Sequence, residues 1–181
     1  MPVDKSQHHP AIADLRAAAG DWRVRHRDQF AAAYREAPHL EAALAILDDE
    51  YAHEDRPLAE LLMGSMERMA ARLDLLAGTE VCRSSALGIE GSGWPRVLDV
   101  VRHFGGDTYV TGHGAGHYLD SAAFEAAGVE VRYMDYACTP YPQQHGEFTP
   151  YVSILDLVAN VGDDASRYLA PRTVGWRDFP G

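Results

Sequence analysis

The order of patterns along the chain predicts an α/β fold, an N-terminal helical layer followed by a small, mostly parallel sheet of alternating strands and helices. Up to Gly78 the apolar residues recur at helical spacing. Beyond Gly78 short apolar runs alternate with helical segments, the alternation that parallel strands and crossover helices produce. A length of 181 residues with 46% hydrophobic content supports one domain with its own core. The domain is expected over residues 21–181, with residues 1–20 as an extended lead-in of weak structure that carries two prolines and a histidine pair.

The elements follow in order. Asp21 is placed to cap DWRVRHRDQFAAAYREA, where Trp22, His26, Phe30, Ala33 and Tyr34 fall near a 3.6-residue repeat. Pro38 ends that helix. HLEAALAILDDEYA supplies a second helix through Leu40, Leu44, Ile46 and Leu47. RPLAELLMGSMERMAARLDLLAG supplies a third, with Pro57 near its first turn, Gly78 past its end, and Met63, Met66 and Met69 read as core. EVCRSSAL is then expected as a strand, WPRVLDVVRHF as a helix, TYVTG as a strand, YLDSAAFEAAG as a helix and VEVRYMDY as a strand. YVSILDLVANVG fits a last helix, in which Asp156 caps or braces the neighbouring loop.

Composition excludes several classes. A formal net charge of −11, spread along the chain, disfavours a nucleic-acid partner held by phosphate contacts. Lys5 is the only lysine, which reads as a GC-rich coding bias. Cys82 and Cys138 form no CxxC pair, so neither a disulfide framework nor a zinc ribbon is indicated, and a reducing cytoplasm is expected. No N-terminal run has the charged, apolar and cleavage regions of a signal peptide and no apolar stretch approaches roughly 20 residues, so a soluble protein that stays inside the cell is expected.

Ligands of open α/β sheets sit outside the carboxyl ends of the strands. The predicted ends are 84–88, 112–117 and 136–145, so the unusual side chains of the second half are expected on one edge. Ser84 and Ser85 lack a G-x-S-x-G context. GHGAG matches neither the dinucleotide fingerprint nor a Walker loop, which needs a lysine. Gly112, Gly114 and Gly116 either admit close backbone approach to a ligand, with a following helix N-terminus favouring an anion, or simply permit a tight turn. His113 and His117, four residues apart, would share one face of an α-helix as a metal pair does. The zincin glutamate is absent and glycines interrupt the segment, so no metal and no cofactor is expected. A proton-handling or substrate-bonding histidine fits better, with a helix-start histidine packed on the sheet as the alternative.

The second cluster is DYACTPYPQQHGEF. Asp135, Tyr136, Cys138, Tyr141, Gln143, Gln144 and His145 bring carboxylate, phenol, thiol, amide and imidazole into one connection stiffened by Pro140 and Pro142. Cys138 near imidazoles is either a poised thiolate that accepts an acyl group or a small apolar filler.

Taken together, DWRVRHRDQFAAAYREAP, TYVTGHGAGHYLDSAAFEAAGVEVRYMDY and TPYPQQHGEFTPYVSILDLVANVG closely resemble the WbqC-like family of bacterial proteins. The ordered set runs from Gly112, Gly116, Tyr118, Leu119, Phe124 and Gly128 through Tyr136, Pro140, Tyr141, Gln143, Phe148 and Pro150 to Ser153, Ile154, Asp156, Leu157, Asn160 and Gly162. The resemblance implies a biosynthetic enzyme of polysaccharide or specialised-metabolite pathways, with transfer of an amino acid, glycine in particular, as the suggested reaction. Two departures stand out. Relatives usually begin with a His-Gln-Pro and Tyr-Leu-Pro-Trp segment that has no counterpart here, which implies a truncated start, a partner that completes the sheet, or a shortened and repurposed member. Relatives more often place histidine where Cys138 stands, which implies either nucleophilic chemistry or lost activity.

The expected function is a cytoplasmic transferase that moves an aminoacyl or acyl group onto an amine or hydroxyl of a small-molecule or sugar acceptor. His113 or His117 is the general base, the backbone of 112–116 cradles an oxyanion, and Tyr141, Gln143 and His145 orient substrate. Tyr118, Asp135 and Tyr136 are further substrate-binding candidates, and Cys138 is an optional acyl acceptor. The expected partners are the small-molecule substrate, an acyl donor or carrier protein, and another copy or chain completing the sheet. The competing readings are an acid/base- or metal-dependent cyclase or hydrolase and a non-catalytic partner subunit with an open sheet edge.

Overall fold

The computed structural model of the protein describes residues 2–4, 11–52, 56–137 and 139–179. In chain order the elements are α1 (Trp22–Ala33), α2 (Leu40–Tyr51), α3 (Leu58–Arg72), α4 (Gly93–His103), β1 (Thr108–Thr111), α5 (Ser121–Ala126), β2 (Glu130–Met134), α6 (Ile154–Val161) and β3 (Thr173–Gly175), with short 3-10 turns between them. The α/β class therefore stands. The chain forms two compact units, Met1–Gly78 with Thr139–Leu169, and Thr79–Cys138 with Ala170–Gly181.

The first unit is helical. Ala43 and Ala159 are fully buried, and the small side chains let α2 and α6 approach closely, with Leu157, Val158 and Leu73 completing the cluster. The backbone N–H of His39, just ahead of α2, donates to the Ala159 carbonyl at 3.0 Å. Charged pairs fix the other helices to α2: Arg27 donates to both oxygens of Asp48 at 2.5 and 3.0 Å, and Arg68 to both of Glu50 at 2.6 and 2.7 Å.

Several local expectations are corrected in this unit. Asp21 occupies the N-cap of α1 without capping it, because its carboxylate pairs with Arg25 one turn on at 3.1 Å. Helix α3 stops at Arg72, well before Gly78, since Asp74 takes a left-handed φ of 54° and the Leu75 N–H closes back on the Ala70 carbonyl at 2.8 Å. Its buried residues are Leu58 and Leu61, whereas Met66 is 65% exposed. The lead-in is more ordered than predicted: Val3 bridges Ala17 in antiparallel fashion, and the Leu58 N–H donates to the Leu15 carbonyl at 2.6 Å.

The second unit holds the sheet, in the order β1-β2-β3 among the described residues. Strands β1 and β2 pair in parallel from Thr108↔Glu130 to Thr111↔Tyr133, with α5 as part of the crossover, and β3 pairs antiparallel to β2 from Arg132↔Gly175 to Met134↔Thr173. The sheet is thus mixed rather than mostly parallel. The central strand obeys the two-residue pleat, burying Val131 and Tyr133 against Phe124, Val129 and Leu98. Trp94 and Tyr109 pack on Phe124 with ring centroids at 6.4 and 5.4 Å.

The strand expected at EVCRSSAL is absent. Its only β-branched residue, Val81, is 48% exposed, and the segment carries a 3-10 turn at Ser84–Ala86 instead. Arg96 holds this connection by donating to the Ile89 and Ser84 carbonyls at 3.0 and 2.9 Å. Strand β3 went unpredicted because three residues are too few to display an alternating pattern.

Candidate functional site

Strand β1 runs into Gly112 and then a single 3-10 turn, His113–His117. Ala115 at its centre is buried in the sheet core, and the Tyr118 and Leu119 N–H groups donate to the Ala115 carbonyl at 3.1 and 2.8 Å. That anchor leaves His113, Gly114, Gly116 and His117 exposed. A 3-10 turn advances about 120° per residue, so positions four apart lie roughly 120° apart in projection rather than on one face. The two histidines therefore do not form the pair that an α-helix would give, and among the described residues no group of three His, Cys, Asp or Glu side chains is placed to hold a metal.

His113 Nε2 lies 2.6 Å from the carbonyl oxygen of Met134 at the end of β2. A carbonyl only accepts, so Nε2 carries the proton and Nδ1 is the basic nitrogen of the neutral ring. Tyr133 and Phe179 stack at 4.2 Å with an 8° interplanar angle, and His113 lies 4.9 Å from the Phe179 ring. These side chains, with His117, Tyr118, Asp120 and Trp176, line an open hollow of about 920 Å³. The glycines are not demanded by crowding, since a Cβ at Gly112 or Gly114 would meet nothing within 4 Å. What they do is leave the turn's backbone uncovered.

The helix start expected to receive an anion is already occupied. Asp120 caps α5 by accepting the Ala123 N–H at 3.0 Å, so its carboxylate sits where an anionic ligand would have to sit. The structure thus gathers His113, Gly114, Gly116, His117 and Tyr118 around one hollow, with Gly112 leading into the turn. Asp135 and Tyr136 follow β2, both exposed, and Asp135 pairs with Arg172 at 3.5 Å. Cys138 lies outside the described residues.

Tyr141, Gln143 and His145 belong to the helical unit. His145 Nε2 donates to the Ala33 carbonyl at 3.1 Å. Tyr141 and Gln143 converge on Asp156, which is 5% exposed in α6. One carboxylate oxygen accepts the Tyr34 hydroxyl at 2.8 Å; the other accepts the Tyr141 hydroxyl at 2.6 Å and the Gln143 amide at 3.0 Å. Gln143 in turn exchanges two bonds with the Thr149 backbone, at 2.9 and 3.0 Å, pinning the loop. Asp156 therefore braces a loop, as its position in SILDLVANVG suggested, through partners that no local pattern announces.

Burial, and then the bond to Asp156, push the Tyr34 phenol up to about 12, and the same causes raise Tyr141 above its ordinary 10.0. A phenol whose folded pKa is raised favours the neutral folded state, so this contribution is intact below pH 10.0 and is lost as pH climbs towards about 12. Urea unfolding across that window should show stability falling with pH, with a shallower decline in Tyr34→Phe.

Sequence reasoning missed Tyr133, Trp176 and Phe179, which line the hollow. The alternation in VEVRYM held the signal for Tyr133, whereas Trp176 and Phe179 follow a strand too short to recognise.

Comparison with known proteins gives a consistent placement. Residues 1–168 match the WbqC-like protein family. The Mycobacterium tuberculosis protein Rv1507c, described as uncharacterized, is 28% identical over 171 residues, covering 93% of this chain and 74% of its own length. No solved structure matches the chain. Among the described residues no helix is long and apolar enough to cross a membrane. With most of its length matched, from the first residue through the Asp156 helix, the chain belongs to the WbqC-like protein family.

Proposed function

We propose that the protein is a biosynthetic transferase that moves an aminoacyl group, glycyl in the simplest case, from a thioester to an amine or hydroxyl acceptor bound in the hollow beside His113. The observation that carries this reading is the hydrogen bond from His113 Nε2 to Met134, which orients the ring and leaves Nδ1 as a base at an open, aromatic-lined concavity. In the step, the acceptor's nitrogen or oxygen attacks the thioester carbonyl while Nδ1 takes its proton. The C–S bond then breaks and the departing thiolate recovers the proton from the imidazolium. The uncovered backbone at Gly112, Gly114 and Gly116 lets the carbonyl oxygen approach closely.

The test is turnover of glycyl N-acetylcysteamine thioester with a panel of small amine and alcohol acceptors, reading thiol release and the mass of the glycylated acceptor. His113→Ala should lower the rate about a hundredfold or more, in keeping with loss of a general base. His117→Ala should cost less, since its ring has no equivalent tether. Equal rates in the wild type and His113→Ala would remove His113 from the chemistry. A covalent variant of the reaction, with Cys138 carrying the acyl group, would show as a mass adduct that disappears in Cys138→Ala.

A further inference from the structure

The helical unit contains a second concavity with a different character. A cavity of about 230 Å³ is lined by residues of α1, α2 and α3 and by Leu155 of α6, with Leu47 and Leu61 among its buried apolar walls. Trp22 and Tyr51 meet edge-on at 5.6 Å and 78°, and the Trp22 ring is fixed by its Nε1–H bond to the Ala18 carbonyl at 2.9 Å. The result is a rigid aromatic wall. At about 30 Å³ for each water-sized group, the space takes roughly eight of them, close to a bicyclic ring.

The polar groups along the lining are few, and their charges oppose one another. Arg23 lies over the Trp22 ring at 4.5 Å, while Glu50 has both carboxylate oxygens engaged by Arg68. One cation and one anion in the same lining leave it without a net charge to select an ion. The Tyr51 hydroxyl is hydrogen-bonded to His26 Nδ1, on the solvent side where His26 is exposed. A hydroxyl retains capacity for one more partner. Mostly apolar walls with one convergent polar pair are the make-up of a small-molecule site.

We propose that this cavity binds a neutral, flat aromatic molecule of indole or naphthol size, its ring against Leu47 and Leu61 and its single hydrogen-bonding group at the Tyr51 hydroxyl. Its lining shares no residue with the His113 hollow, and the proposal does not depend on the transferase reading.

The test uses the full ¹⁵N-labelled chain, whose three tryptophans give separate indole N–H resonances, assigned by loss in Trp94→Phe and Trp176→Phe. Indole and 2-naphthol should shift the Trp22 resonance saturably and leave those of Trp94 and Trp176 unmoved. Tryptamine and indole-3-acetate, charged relatives of the probe, should bind about fivefold or more weakly. Tyr51→Phe should weaken 2-naphthol binding by roughly tenfold, the loss of one hydrogen bond. Ser65→Leu, which fills the cavity from α3, should abolish the shift, and Leu62→Trp at the half-exposed rim is the second filling variant should the first melt. No saturable Trp22 shift, equal affinity for the charged probes, or undiminished binding in a folded filled variant would overturn the proposal.

Discussion

Gly162→Ala is expected to lower the unfolding free energy by about 3 kcal/mol, combining backbone strain with overpacking. Gly162 closes α6 with φ 61° and ψ −131°, a conformation open to glycine and strained for an L side chain. A Cβ there would lie 2.6 Å from His39 Nδ1 and 2.8 Å from its Cγ and Cε1, too close for any rotamer of the present ring position. The ring cannot retreat along with its backbone, because the His39 N–H is bonded to the Ala159 carbonyl. Urea unfolding of Gly162→Ala, His39→Ala and the double variant separates the two causes. The double variant should recover the steric share and retain a deficit of about 1–2 kcal/mol from the strained backbone alone. A single variant as stable as the wild type would show that α6 ends differently.

Asp156→Ala is expected to be at least as damaging, at about 4 kcal/mol, because it strips one acceptor site from two phenols and an amide at once. Tyr34→Phe and Tyr141→Phe each remove a single bond and should cost about 1–2 kcal/mol. Asp156→Asn keeps the volume but replaces one acceptor oxygen with a donor that faces other donors, so it should fall between these values. The loss is directional. With Asp156 gone, Gln143 loses its anchor at the helix and keeps only its backbone bonds to Thr149, so limited proteolysis should open the 143–149 loop before the helices melt. Retention of loop protection in Asp156→Ala would mean that the Thr149 bonds suffice.

Helix α2 was legible in the sequence because it carries an apolar stripe long enough to count, through Leu44 and Leu47, whereas α1 buries only Trp22. Strands β1 and β2 were legible for the same reason, from TYVT and the alternation in EVRYM. The failures were of another kind. EVCRSSAL looked strand-like only by its place in an alternating series, and its polar composition won. The Asp156 network joins Tyr34 to Asp156 across 122 positions, and no local period reports such a contact. The glycines that argue in the sequence against an α-helical pair at His113 and His117 lie inside a 3-10 turn spanning His113–His117. The contacts of Tyr141 with Asp156 and of His145 with the end of α1 are likewise long-range and leave no local signal.

The most direct test of the central claim is a long-range ¹H–¹⁵N spectrum of the histidine rings of the wild-type chain, recorded with and without a non-transferable thioether analogue of the glycyl thioester. The account predicts His113 as the Nε2–H tautomer with Nδ1 unprotonated, and shifts at His113, His117 and the Trp176 indole when the analogue is added. His113 as the Nδ1–H tautomer, or an analogue that leaves all three groups unmoved, would contradict it.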